Sequence, residues 1–214
     1  MSKTLETTEE KIVAKALEMF NEKGVEYVGM RELAAALGMR VSNITYYFPK
    51  KDDLVYRLSL DLNQANSKIV LDDSELTVAS FLEKFQMVFR NHIQYRCLLL
   101  SFVHLMEQNP RMAERYKKTQ NDRNSALRAN IQTLISRGYV QPIGSQEAAF
   151  LVSAIALVAR FWLSEARVSL QHLDSSAQIR HYVAMIGRLL APYLTPTGLK
   201  QWEGMRVILE PDAS

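Results

Sequence analysis

The sequence predicts an all-α chain: a small N-terminal three-helix module built around a helix-turn-helix, then a larger helical part. Three observations carry this. No window alternates apolar and polar residues with β-branched enrichment, so no strand is expected. Glycine and proline, 8 and 6 of 214 residues, fall at the ends of apolar stripes and so mark boundaries. The apolar residues recur at three- and four-residue spacing, which lines one face of a helix.

The elements follow in order. Thr7-Thr8-Glu9-Glu10 fits a capping box, with Thr7 as N-cap and Glu10 reaching back to it. Ile12, Val13, Ala16, Leu17 and Phe20 form the first apolar stripe, and Lys23-Gly24 closes that helix with a dipole-matched cation and a left-handed cap. A second helix runs from about Met30 to Leu37, with Leu33, Ala34 and Leu37 inward, and Gly38 supplies a positive-φ turn. A third covers about Val41 to Tyr47, with Val41, Ile44 and Phe48 on one face. Pro49 stops it, because a residue before proline is pushed out of the helical region. A fourth starts near Lys51, with Asp52 and Asp53 where the helix dipole favours acids, and continues to Ile69. The domain boundary falls inside this helix or at Asp72-Asp73-Ser74-Glu75; a cut at 55/56 gives domains 1–55 and 56–214.

Longer helices are expected beyond it. One spans about Val78 to Met106; Phe81, Phe85 and Phe89 make a core stripe in it. Asn109-Pro110 opens the next as N-cap and first residue, and that segment reaches Arg137-Gly138 as one helix or two. Ser145 caps another to about Leu170, Ser175 or Ser176 opens a further one, and a short helix follows Thr197.

Composition narrows the function classes. A 48% apolar fraction suffices for a packed core, and a net charge of +3 permits nucleic-acid binding without demanding it. No apolar run reaches the roughly 18 to 20 residues of a membrane helix; the longest, Ala148 to Leu163, is interrupted by Ser153 and Arg160. The polar start, MSKTLETTEE, is unlike a secretory signal. One cysteine, Cys97, rules out an internal disulfide and fits a reducing cytoplasm; it is either a core thiol beside Leu98 to Leu100 or a sensor. No Gly-rich phosphate loop, nucleophile motif or metal-ligand spacing occurs, so no catalytic residue, metal or cofactor is expected.

Charge placement is more telling. Residues 1–57 hold nine Lys/Arg and nine Asp/Glu, yet Leu37 to Lys51 holds Arg40, Lys50 and Lys51 with no acid. A recognition helix needs a bracing partner, short polar side chains for base edges and donors for phosphates. Leu33, Ala34, Leu37, Ile44 and Phe48 can brace. Arg40, Ser42, Asn43 and Thr45 can reach bases, and Tyr46, Tyr47 and Lys51 can donate to phosphates. The two tyrosines are alternatively core aromatics, and Arg31 is either a phosphate contact or a surface ion pair. A second basic run, Arg111, Arg115, Lys117, Lys118, Arg123 and Arg128, reads as a solvated helix face.

Ile12, Ala16, Phe20 and Gly24, then Met30-Arg31, Leu33-Ala34, Leu37-Gly38 and Ile44, then Tyr46-Tyr47-Phe48 with Lys51 and Leu54, form a specific set. In these residues, Lys11 to Leu54 resembles the DNA-binding domain of the TetR family of bacterial transcriptional repressors. The resemblance implies phosphate contacts at Tyr46, Tyr47 and Lys51, and groove-facing roles at Arg40, Val41, Ser42, Asn43 and Thr45. Gly29 stands where the family usually has Thr or Ser, Arg40 where it often has a Ser cap, and Thr45 where it usually has Tyr.

The same resemblance implies a ligand-binding and dimerisation domain after residue 55. Its last two long helices, here Gln146 to Leu170 and Ile179 to Leu190, would form a four-helix bundle with their twins. Ala148, Ala149, Ala154, Ala156 and Ala159 allow close helix approach; a monomeric core is the other possibility. His92, Tyr95, His104, Tyr116, Trp162 and Glu165 are the candidate pocket residues, as polar groups on apolar helices, and each has a plain core or surface alternative. The expected partners are double-stranded operator DNA, a second copy of the chain and an unidentified small-molecule effector, in the cytoplasm of a bacterium, with no membrane. The rival expectation is a helical ligand- or protein-binding module with vestigial DNA binding.

Overall fold

The computed structural model describes residues 7–69 and 75–210. The MSKTLE start and residues 72–74 of the expected Asp-rich break lie outside the described residues. Among the described residues eleven α-helices and one 3-10 turn follow one another, and the sole strand-like pairing is an isolated antiparallel bridge between Val140 and Leu194.

Local signals set the first elements. The capping box at Thr7 and Glu10 is complete, and α1 runs Thr8–Lys23 to Gly24, whose φ of 96° needs no Cβ. Its ψ of 147° makes the cap extended rather than left-handed. Met19 is buried in α1, and Leu17 only half-buried. α2 spans Met30–Ala36 and α3 Val41–Tyr47, separated by a turn at Gly38 with φ 63°. Phe48 caps α3 by donating its N–H to the Ile44 carbonyl (2.8 Å). α4 spans Lys51–Ser67, so Ile69 lies beyond it, and Asp53 accepts a hydrogen bond from the Lys50 N–H (3.1 Å). Arg57 ties α4 to Glu9 of α1 and to Asp61 (3.0 Å).

The expected single helix from Val78 to Met106 is in fact three: α5 (Val78–Gln94), α6 (Arg96–Leu100) and α7 (Phe102–Gln108). Asn21 of α1 holds the first break open. Its Nδ2 donates to the Gln94 carbonyl (2.7 Å), its Oδ1 accepts from the Cys97 N–H (3.0 Å), and its own carbonyl accepts from Arg96 Nε (3.2 Å). The side chain satisfies the backbone groups that a helix interruption strands.

α8 runs unbroken over Pro110–Ser136, with Asn109 Oδ1 capping the Met112 N–H (3.0 Å). α9 spans Ser145–Ser169; its N-cap is Gly144, with Ser145 already helical. At 25 residues α9 is by length and composition alone able to cross a membrane, which corrects the expectation that no run suffices. The isolated Ser153 and Arg160 do not break the helix. α10 spans Ser175–Leu190 with Asp174 as its cap, and a 3-10 turn covers Ala191–Tyr193. α11, capped by Thr195, spans Pro196–Leu209, fourteen residues rather than a short piece. α10 packs on both α9 and α11. At Gly187 a Cβ would lie 2.0 Å from the Trp202 ring, so the indole occupies the space a side chain would take.

Backbone proximity groups the chain into two compact units. One comprises residues 1–65 and 94–114, the other residues 66–93 and 115–214. The helix-turn-helix thus shares its unit with α6, α7 and the start of α8, a segment remote in sequence.

Replacing Asn21 by Ala leaves the Gln94 carbonyl and Cys97 N–H without partners. The expected loss is about 1–3 kcal/mol, seen as a lower melting temperature and faster hydrogen exchange at the Cys97 amide. Asn21→Asp, which keeps the acceptor and loses the donor, should fall between the two.

Candidate nucleic-acid interface

α1 packs on α2, and α2 on α3. Within α3 only Ile44 is buried, and Phe48 just beyond it is buried too. These two residues seat the helix, and its other positions are free of packing duty. Arg40, Ser42 and Asn43 are exposed, and Thr45 is half-buried with its Oγ1 donating to the Ser42 carbonyl (3.3 Å). Val41, expected inward with Ile44 and Phe48, is 36% exposed, because it sits at the edge of a narrow buried face. Arg40 forms no salt bridge with any described residue, so its fork of donors is uncommitted.

Tyr46 is 81% and Tyr47 40% exposed, which removes the core-aromatic alternative for both. Their rings meet edge to face, centroids 5.1 Å apart at 88°, so each restrains the other at the end of α3. Lys51 has a second task. Its Nζ donates to the Val25 carbonyl at 2.9 Å and lies 3.5 Å from the Glu26 carbonyl, pinning the loop after α1. An ammonium has three donors, so one remains for another acceptor. Gly29 caps α2 through its backbone alone, at φ −97° and ψ 160°, and a Cβ there meets nothing within 4 Å.

The six candidate pocket residues divide between the two units. Tyr95 and His104 belong to the first unit, where Tyr95 is buried and His104 exposed. The other four belong to the second. His92 is buried, and its Nδ1 accepts from Trp162 Nε1 at 3.1 Å. Trp162 also stacks on Phe89, centroids 4.7 Å apart. Glu165 is exposed, and Tyr116 half-buried. Trp162 and Glu165 line an open groove of about 440 Å³ between α9 and α10, together with Leu157, Phe161, Tyr182 and Met185. Cys97 is buried, and burial pushes its thiol up to about 12, which identifies it as core rather than a reactive thiolate.

Some contributors carried no local signal. Asn21 looks like any helix-end polar residue until its partners at 94 to 97 are known. Gln120 and Asn124 follow Tyr116 at four-residue steps, a readable stripe hidden inside a run that looks like solvated charge.

Two family models match the chain. Residues 64–202 match the TetR model described as a bacterial transcriptional repressor, and residues 12–58 match the model for bacterial regulatory proteins of the tetR family. The chain belongs to the TetR family of bacterial transcriptional regulators. Over 62 residues it is 34% identical to a probable HTH-type transcriptional regulator, YttP, of Bacillus subtilis, a match spanning 29% of this chain and 30% of that protein. A TetR-family regulator from Marinobacter aquaeolei VT8 shares the fold with a TM-score of 0.87 at 22% identity, covering 96% of this chain and 100% of that one. The SmeT–triclosan complex aligns at 0.59 and 15% identity over 88% of this chain and 92% of that one. α9 lies wholly inside the residues that match the repressor model.

Two predictions follow from this geometry. Gly29→Ser installs the missing cap in open space; stability should rise by about a few tenths of a kcal/mol, seen as a higher melting temperature. The second concerns His92, whose pKa burial, then the Arg123 charge, pushes from its ordinary 6.5 down to about 3. The folded state therefore refuses a proton that the unfolded chain accepts. Its stabilising share is complete above pH 6.5 and declines as pH falls from 6.5 towards 3, by up to about 1.4 kcal/mol per pH unit. His92→Gln, which can still accept from Trp162, should flatten that slope in melting temperatures recorded from pH 7 to pH 4.

Proposed function

We propose that this TetR-family regulator acts as a homodimer that represses transcription from a palindromic operator until a small molecule releases it. Residues 1–55 would bind DNA, and residues 56–214 would dimerise and take the effector, in the bacterial cytoplasm. The observation that carries this reading is α3 itself. It is seated by Ile44 and Phe48 alone, leaves its remaining side chains largely free, and lies in a segment without an acid. In this reading Arg40, Val41, Ser42, Asn43 and Thr45 meet base edges, while Tyr46, Tyr47 and the spare donor of Lys51 meet phosphates.

Dimerisation is supported by α9. Phe150, Leu157 and Val168 are 59%, 57% and 76% exposed, and the first two lie seven residues apart, the repeat of a helix–helix seam. A two-fold pair then sets two recognition helices about one DNA turn apart. Release by an effector is supported by the fold shared with SmeT, which is seen with triclosan. We read the chain as non-catalytic because the family is one of transcriptional regulators.

Retardation of DNA flanking the protein's own gene tests this. The double variant Tyr46→Ala/Tyr47→Ala should bind at least tenfold more weakly with an unchanged melting temperature, because neither ring is buried. Arg40→Ala should cost about 1–3 kcal/mol and relax specificity at one base pair. Affinity should fall steeply with salt. A wild-type protein that retards no fragment in a genome-wide selection, or a double variant that binds as tightly, sinks the assignment and favours the module with vestigial DNA binding.

A further inference from the structure

The inward stripe of α8 changes character along its length. Ile131 and Leu134 are ordinary buried core. Two turns earlier the same stripe is polar: Tyr116, Gln120 and Asn124 are all half-buried. The Tyr116 hydroxyl donates to Gln120 Oε1 (3.0 Å), and Gln120 Nε2 donates to Asn124 Oδ1 (2.8 Å). Opposite them, on α9, stands Arg160, its guanidinium carbon 5.7 Å from the centre of the Tyr116 ring. Arg160 is half-buried, and its Nε–H is fully buried with no hydrogen-bond partner. No described acid forms a salt bridge with it. The positive charge of Arg123 is close enough to be opposed by that of Arg160.

A buried charged donor without an acceptor destabilises the chain that holds it, and a second cation nearby adds to the cost. Methionine or leucine would fill the same space without that cost. The arrangement is favourable once something else supplies the acceptor. The Nε edge of a guanidinium presents two parallel N–H donors, the spacing of the two oxygens of a carboxylate. Phe161, whose ring centre lies 5.8 Å from the guanidinium carbon, supplies apolar surface near the charge.

We propose that Arg160, with the Tyr116–Gln120–Asn124 ladder of α8 beside it, is the anchor for the carboxylate of a small organic acid, the effector class of this regulator. The proposal deepens the ligand-released reading above and rests on it for its regulatory meaning. The site takes the acid through its charge and shape, so the matching primary amide is rejected.

The test uses the full chain and a panel of benzoate, phenylacetate, hexanoate and decanoate, each beside its primary amide. At least one acid should raise the melting temperature of the wild type while its amide does not. Arg160→Gln should weaken that acid by tenfold or more in calorimetry. Arg160→Met, free of ligand, should melt no lower than the wild type, because it removes an unpaired charge. Equal response to acid and amide, an unchanged dissociation constant in Arg160→Gln, or no response to any acid overturns the proposal. An Arg160→Met protein that melts well below the wild type marks Arg160 as structural and overturns it too. The two readings fail separately. A neutral or cationic compound that releases operator DNA equally from wild type and Arg160→Gln ends the acid proposal and leaves the regulator intact. An acid that binds through Arg160 without altering operator affinity keeps the anchor and ends its regulatory meaning.

Discussion

α3 is two turns long, and an isolated helix of that length does not persist in water; about 12–15 residues are needed even for good helix formers. Its sequence, VSNITYY, is moreover poor in helix formers. The helix exists because Ile44 and Phe48 are buried, and because its ends are fixed by a glycine turn before and a proline stop after. That constraint decides what the rest of the segment can be. With two anchors sufficient, the intervening positions are released from packing, and polar or aromatic side chains can stand in solvent at defined angles. Exposed face and anchor are one helix, so any change that loosens Ile44 disorders the outward side chains with it.

Contacts from outside the helix-turn-helix complete the support. Lys51 holds the Val25 carbonyl, Arg57 joins α4 to Glu9 of α1, and Arg111, with its guanidinium 3.9 Å from the centre of the Tyr56 ring, stands over α4. Asn109, which caps α8, also lies 3.5 Å from the Asp52 carbonyl. These side chains come from residues 94–114 as well as from the first 57, which is why that later segment groups with the DNA-binding helices. Lys51 illustrates the economy of such a small module: one ammonium ties down the loop after α1 and still has a donor to spare.

What the sequence made legible is what is decided locally. The capping box at Thr7, the glycine ends at Gly24 and Gly38, the Pro49 stop and the Asn109-Pro110 start each depend on residues within a turn of one another, and each is present. The breaks at Tyr95 and Ser101 were not legible. The first is held by Asn21, more than seventy residues away, and the segment has no glycine or proline to signal an interruption. The side-chain directions of α3 were legible for Ile44 and Phe48 and misleading for Val41, because spacing shows which residues share a face but not how wide the buried face is.

α9 shows the same limit from the other side. Counting residues makes it a candidate membrane helix; geometry gives it two distinct apolar stripes. Leu151, Ile155, Trp162 and Ala166 are buried inward at helical spacing, whereas Phe150, Leu157 and Val168 face out. A lipid-facing helix is apolar around its whole outer surface. Here the outward stripe is flanked by exposed Ser153, Glu165 and Arg167, and it continues through the groove into exposed Met185 of α10. A narrow stripe edged by charge suits another helix better than a bilayer, since the flanking side chains stay hydrated while the stripe is covered. Composition alone cannot separate these cases, because the two stripes sum to the same apolar count that a spanning helix has.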